Sequence, residues 1–353
     1  MKVQLPVRQA ILDRKTYEPP GEGRANKLRL DFNENNAGCS PAVPRALGKL
    51  SPKTIAMYPE YERGAKRLAR YYHVDLEELM LTNGGDDALR VFIDTFVNAG
   101  ERIVIVEPTF PMYRYWGEVA GAKIDVLRYN AKMEFPLEAA IQAAKERPRV
   151  LFICNPNNPT GTQIPPTAIE QILKQSTHTA IVIDEAYAEF APEVSVVKLI
   201  REYPQLFVAR TFSKVAGLAS LRLGAVIGHR DSLNTLRRAT APFPVNLAAL
   251  VAAVAAVNDR KTMNGYLHDI ARTSEWFEKQ LHGLGVSTYP SQCNFVLTSF
   301  GADGPALFER LTRDGVMLRD RAKDIGPGFA RISVGTQSEM ERLMKKIKRY
   351  WKK

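Results

Sequence analysis

Cysteine is scarce, with only Cys39, Cys154 and Cys293 among 353 residues. An odd, sparse set argues against a disulfide framework and for a reducing compartment, so the cytoplasm is the expected location. None of the three has a second Cys or a His at metal-ligand spacing, and no metal is expected. Nor does any run approach the roughly 18 uninterrupted apolar residues needed to span a bilayer. The longest weakly polar run, 245–257, is Ala-rich and reads as a buried helix. The first residues, Met1-Lys2-Val3-Gln4-Leu5-Pro6, lack the apolar core of a secretory signal. Internal repeats and low-complexity tracts are absent as well.

The composition present is that of an ordinary folded protein: 45% apolar and 25% charged. Its length predicts two domains and a sizeable core. Lys and Arg number 49 against 38 Asp and Glu, a net charge of +11. The sharpest basic cluster closes the chain, from Lys345-Lys346 to Lys352-Lys353. It reads as a solvated helix face with attraction for anionic small molecules, so neither nucleic acid nor membrane is expected as a partner. A DNA-binding regulator would carry a further N-terminal domain, and the chain opens directly on a polar arm.

That arm, residues 1–28, is punctuated by Pro19-Pro20-Gly21-Glu22-Gly23 and reads as irregular. Short β-branched runs then alternate with amphipathic stretches. Strands are expected at 102–106, 123–127, 150–154, 180–184, 206–210 and 223–228. Helices are expected at 86–98, 136–145, 165–175 and 194–203. Strands apolar on both faces and separated by helices imply an α/β domain with a mostly parallel sheet, over 29–260. A smaller α+β unit, 261–353, follows. In open sheets of this kind ligands bind beyond the carboxyl ends of the strands.

The chemistry-bearing residues follow strands. Ala180-Ile181-Val182-Ile183 runs into Asp184 and then Tyr187; alone, such an Asp also serves as a helix cap or metal ligand. Leu206-Phe207-Val208-Ala209-Arg210 runs into Thr211-Phe212-Ser213-Lys214, with Arg222 eight residues on. Neighbouring positive charge and partial burial lower a lysine pKa and free its amine for imine formation. Ser213 and Arg222 suit a phosphate, as hydroxyl donor and guanidinium fork. Gly84-Gly85-Asp86 opens a helix, whose exposed N–H groups attract an anion, and Asp86 is expected to cap it. The two Asn-Pro steps of Asn155-Pro156-Asn157-Asn158-Pro159 bound a turn that would present the Asn157 amide. Taken together, these are the parts needed to hold pyridoxal 5'-phosphate.

The whole chain resembles the fold-type I pyridoxal-phosphate aminotransferases, and among them the histidinol-phosphate branch. The motifs that carry the likeness are Asp31-Phe32-Asn33-Glu34-Asn35, Tyr58-Pro59, Asn83-Gly84-Gly85-Asp86-Asp87, Glu107-Pro108-Thr109-Phe110-Pro111-Met112-Tyr113, 155–161, Asp184-Glu185-Ala186-Tyr187, Ser213-Lys214, Arg222, Asn294-Phe295 and Arg331-Ile332-Ser333-Val334-Gly335-Thr336. The resemblance implies that Lys214 bonds the cofactor covalently and shuttles a proton. It places Asp184 on the ring nitrogen, Tyr187 and Asn157 on the ring oxygen, and Phe110 on the ring face. Gly85, Asp86, Ser213 and Arg222 would hold the phosphate, with Tyr58 of a neighbouring subunit, so a homodimer is implied. Arg331 would bind a carboxylate, and Arg331, Arg319 and Tyr17 the phosphate of histidinol phosphate. Asp320, next to Arg319, is an alternative partner for that cation. Departures from the family pattern are Asn36 in place of a Pro, Gly85 in place of Ser or Ala, Phe110 in place of a Tyr, and Val215-Ala216 and Ser220 near the lysine. An aromatic amino acid aminotransferase and a threonine-phosphate decarboxylase share the scaffold and are the rival readings.

Overall fold

The structure, a computed structural model, describes residues 6–14 and 23–351. Strands β1 to β12 are Leu28–Leu30, Leu79–Thr82, Arg102–Glu107, Lys123–Arg128, Val150–Cys154, Ala180–Asp184, Leu206–Thr211, Gly224–Gly228, Ser287–Tyr289, Phe295–Ser299, Val316–Asp320 and Phe329–Ser333. They form two sheets.

The seven-stranded sheet runs β2-β8-β7-β6-β5-β3-β4. Its pairs from β7 through β6, β5 and β3 to β4 are parallel, while β8 is antiparallel to both neighbours. The central strands are buried on both faces. Leu151, Ile153, Ile181, Ile183 and Val208 point into one core, and Phe152, Cys154, Val182 and Phe207 into the other. That double burial is why they read as continuous apolar runs. The chain leaves β3 toward β4 on one side and β5 toward β6 and β7 on the other. The order therefore reverses between β3 and β5, and a crevice opens there beyond the strand ends.

The five-stranded sheet runs β1-β11-β12-β10-β9. Its core gathers Leu28, Leu30, Phe277, Ile332, Leu343 and Ile347. Strand β1 lies at the end of the expected irregular arm, yet it pairs in parallel with Val316–Leu318 of β11. Burying Leu28 and Leu30 on one face drives that pairing. Packing changes partner at Asp259, which separates the helices Leu247–Asn258 and Arg260–His282. Its carboxylate accepts from Thr262 N, Thr262 Oγ1 and Ser40 Oγ.

The helix expected at 194–203 is replaced by two 3-10 turns, Pro192–Val194 and Val197–Leu199. The buried Glu185 carboxylate takes the Val196 N–H at 2.7 Å and the Ser195 hydroxyl at 2.9 Å, tying this segment to the residue that follows β6. No helix among the described residues is long and apolar enough to cross a membrane.

Candidate active site

A cavity of about 510 Å³ opens at the carboxyl ends of β5, β6 and β7. Its walls include Gly85, Asp86, Phe110, Asp184, Tyr187, Ser213, Lys214, Arg222, Arg319 and Arg331. Ten sequence-predicted residues scattered over 247 positions thus share one space.

Lys214 donates from Nζ to the Phe32 carbonyl at 3.1 Å. Burial, aided by Arg331, lowers its pKa to about 8. Asp184 ends β6, and burial raises its carboxyl to about 6, against the opposing pull of two donors. Those donors are the Tyr113 hydroxyl at 2.7 Å and the Ala186 N–H at 3.1 Å. Tyr113 is itself fixed by stacking on Phe152, with ring centroids 5.2 Å apart. The buried Tyr187 hydroxyl receives an N–H from Asn33 at 2.9 Å.

At the opposite end, the helix Gly85–Phe96 starts without a side-chain cap. Asp86 does not take the capping role expected of it, because its carboxylate turns to Arg222, 3.2 Å away. Asp87 accepts the Asn83 N–H instead, at 2.9 Å. The free N–H groups of the first turn, the Ser213 hydroxyl and the Arg222 guanidinium face a common space, a donor set suited to an anion. Close backbone approach builds this corner: Gly84 has φ +82°, and a Cβ there would come within 2.5 Å of Arg222.

The second sheet supplies the cations. Arg319 lies directly opposite Arg331 across the β11–β12 pair, so both side chains leave the same face. Like charges paired this way are unfavourable unless an anion joins them. Arg321, two residues beyond Arg319, shares the face and also lines the cavity. Burial, reinforced by Arg321 and Arg319, pulls Arg331 down to about 10. Its buried Nε has no hydrogen-bond partner among the described residues. Asp320 does not neutralise Arg319. It is on the alternate face and accepts the Ala322 N–H at 2.8 Å.

One expected residue does not line the cavity. Asn157 is fully buried behind the cavity, its amide consumed by Pro108 O, Thr160 Oγ1 and Thr109 Oγ1 at 2.8–2.9 Å. The neighbouring Asn158 lines the cavity instead and accepts from Arg331. Tyr58 is 80% exposed, away from this chain's own cavity, and stacks on Phe243 with centroids 4.5 Å apart. Tyr17 falls outside the described residues. Tyr113 and Asn33 lie within the motifs that carry the family likeness, which assigns neither a role, and Arg321 lies two residues past Arg319, just beyond β11.

The family model "Aminotransferase class I and II" matches residues 25–347. The chain belongs to that family. Among curated relatives, the histidinol-phosphate aminotransferase of Geobacillus sp. (strain WCH70) is 34% identical over 91% of this chain and 89% of its own length. That of Maricaulis maris (strain MCS10) is 32% identical over 98% of each chain. Among solved structures, histidinol-phosphate aminotransferase from Sinorhizobium meliloti, in complex with pyridoxal-5'-phosphate, superposes with a TM-score of 0.91. It is 23% identical, over 99% of this chain and 98% of that one.

Proposed function

We propose that this chain is a pyridoxal-phosphate-dependent histidinol-phosphate aminotransferase, acting as a cytoplasmic homodimer. The reaction converts histidinol phosphate and 2-oxoglutarate to imidazole-acetol phosphate and glutamate, in either direction. The observation that carries the reading is the single cavity holding Lys214, Asp184 and the opposed pair Arg319 and Arg331. The function of the curated relatives agrees with it.

The donor set fits pyridoxal phosphate. A lysine with lowered pKa suits its aldehyde, a buried carboxylate its ring nitrogen, and an uncapped helix start with Ser213 and Arg222 its phosphate. When bound, the cofactor supplies an electron sink for the substrate's α-carbon. Lys214 would hold it through its amine and would move the proton at the substrate's α-carbon. Asp184 keeps the ring nitrogen protonated, and Tyr113 orients Asp184. Tyr187 donates to the ring oxygen, while Asn157 supports the wall from behind. Phe110 covers the ring face. Gly85 and Asp86 through their backbone, with Ser213 and Arg222, hold the phosphate, joined by Tyr58 of the second subunit. Arg331 takes the carboxylate of glutamate, and Arg331, Arg319 and Tyr17 the phosphate of histidinol phosphate. A guanidinium accepts either anion, so one pocket serves both half-reactions.

The test is a half-reaction screen of the loaded enzyme, following visible absorbance. Histidinol phosphate and glutamate are expected to discharge the spectrum faster than phenylalanine or tyrosine. A preference for the aromatic amino acids would overturn the substrate assignment. Carbon dioxide release from phosphothreonine would overturn the reaction type.

A further inference from the structure

The role of Tyr187 depends on where its hydroxyl proton points, and the chain contains a device that sets this. Asn33 is fully buried, with φ +54°. Asn occupies this left-handed region more readily than most residues. Its backbone N–H donates to Ser333 Oγ at 2.9 Å. Ser333 then directs its own proton to Asn33 Oδ1, also at 2.9 Å. That fixes Oδ1 as the acceptor and turns the Nδ2 donor to Tyr187 Oη at 2.9 Å. The reverse amide orientation would leave the Ser333 proton without an acceptor among the described residues. Asn294 Nδ2 pins the Asn33 carbonyl at 3.0 Å. Tyr187 therefore receives one hydrogen bond and keeps its proton for a second partner.

We infer that Asn33 is a positioning residue whose amide holds the Tyr187 hydroxyl as a donor into the cavity, toward an anionic oxygen of the bound ligand. Ser333 belongs to β12, so the second sheet sets the hydrogen-bond polarity of a residue in the turn that follows β6 of the first. The inference builds on the proposed contact between Tyr187 and the ring oxygen of pyridoxal phosphate. The other ionisable groups facing Tyr187 do not donate to its oxygen in the structure. The Lys214 ammonium nitrogen lies 5.5 Å from the ring centroid. Arg331 acts on it through its charge, and Cys154 and Cys293 are thiols kept neutral by burial. The Asn33 amide is thus the group that fixes the phenol.

The test follows the visible absorption of the loaded enzyme against pH, in two backgrounds. Asn33→Asp keeps the shape and the backbone tolerance but offers an acceptor that captures the Tyr187 proton. Its spectral midpoint is expected to rise by about one pH unit, roughly a tenfold change in the ionisation constant. Asn33→Gly keeps the positive φ, removes the amide, and should shift the midpoint the same way by less. In the Tyr187→Phe background, where the phenol is gone, Asn33→Asp should add less than half of that shift. Equal shifts in both backgrounds, or unchanged midpoints in the folded variants, would overturn the inference. Tyr187→Phe alone distinguishes the underlying reading: no shift in that variant would remove Tyr187 from the ring oxygen, and the inference with it.

Discussion

Burial drives the two reactive groups of the cavity in opposite directions. Lys214 falls to about 8 and Asp184 rises to about 6. The lysine's contribution to apoprotein stability is present above its ordinary value of about 10.4 and is lost as pH falls through about 8. The aspartate's is present below about 3.9 and is lost as pH rises through about 6. Between those midpoints both groups carry charges the cavity disfavours, and the site is poised for a ligand that neutralises the amine and brings a cation to the carboxylate. Covalent uptake of pyridoxal phosphate should therefore accelerate with pH and level off above about 8, measured by stopped-flow absorbance. A profile still rising near the free-lysine value would contradict the burial argument. Lys214→Ala should yield no borohydride-reducible bond at this position and lose at least about 10²–10⁴-fold in turnover. Tyr113→Phe removes the 2.7 Å donor to Asp184. Its acid limb of cofactor binding should move up by about 1–2 pH units, the equivalent of a hydrogen bond to a charged group. An unmoved limb would show that Tyr113 only packs.

Elements differed in how far they could be read from the chain. Strands β5, β6 and β7 are buried on both faces, so their apolar runs end visibly at the chemistry: Cys154, Asp184 and Thr211. Strand β11 could not be read that way. Arg319 and Asp320 give it a half-polar pattern, and only its pairing with β12 turns Arg319 and Arg331 to one face. Strand β1 hid in a polar arm because three residues and two leucines form no period until β11 lies beside them. The segment after Asp184 looked helical because its apolar spacing is right. Tertiary contacts that no local pattern encodes hold it instead: the Glu185 carboxylate, bound to Arg210 at 2.5 Å, also takes the Val196 N–H. Asn157 was legible as a turn residue, but no spacing rule says that Thr109, 48 positions earlier, would consume its carbonyl. Glycine at 224 makes the anion corner possible, since a Cβ there would meet the Gly84 carbonyl carbon at 2.6 Å. Gly224→Ala must push β8 away from the turn into the helix Gly85–Phe96. It should cost about 1–3 kcal/mol by overpacking and weaken cofactor retention, read by thermal melts and pyridoxal phosphate titration. A loss of stability with unchanged cofactor affinity would detach the corner from phosphate binding.

At the scale of the molecule, one surface is unlike a finished exterior. Tyr58, Met57, Ile55 and Phe243 are large apolar side chains left 80%, 64%, 66% and 48% exposed. Tyr58 and Phe243 stack on each other in the open, and exposed apolar surface of this kind marks an interface. The proposed homodimer covers it and sends Tyr58 into the second subunit's anion corner. Two-fold symmetry makes that arrangement testable by complementation, because each site then draws Lys214 from one chain and Tyr58 from the other. Lys214→Ala and Tyr58→Ala homodimers should each be impaired, the first by loss of the amine and the second by weak phosphate retention. Subunits mixed and allowed to exchange place the intact Lys214 of one chain against the intact Tyr58 of the other at one of the two sites. Random exchange makes half the dimers hybrid, each with one good site, so activity should recover to about a quarter of wild type. Were Tyr58 to serve its own chain instead, the hybrid site with Lys214 would still lack its tyrosine. Mixing would then give only the average of the two parents, and the shared-site arrangement would fall.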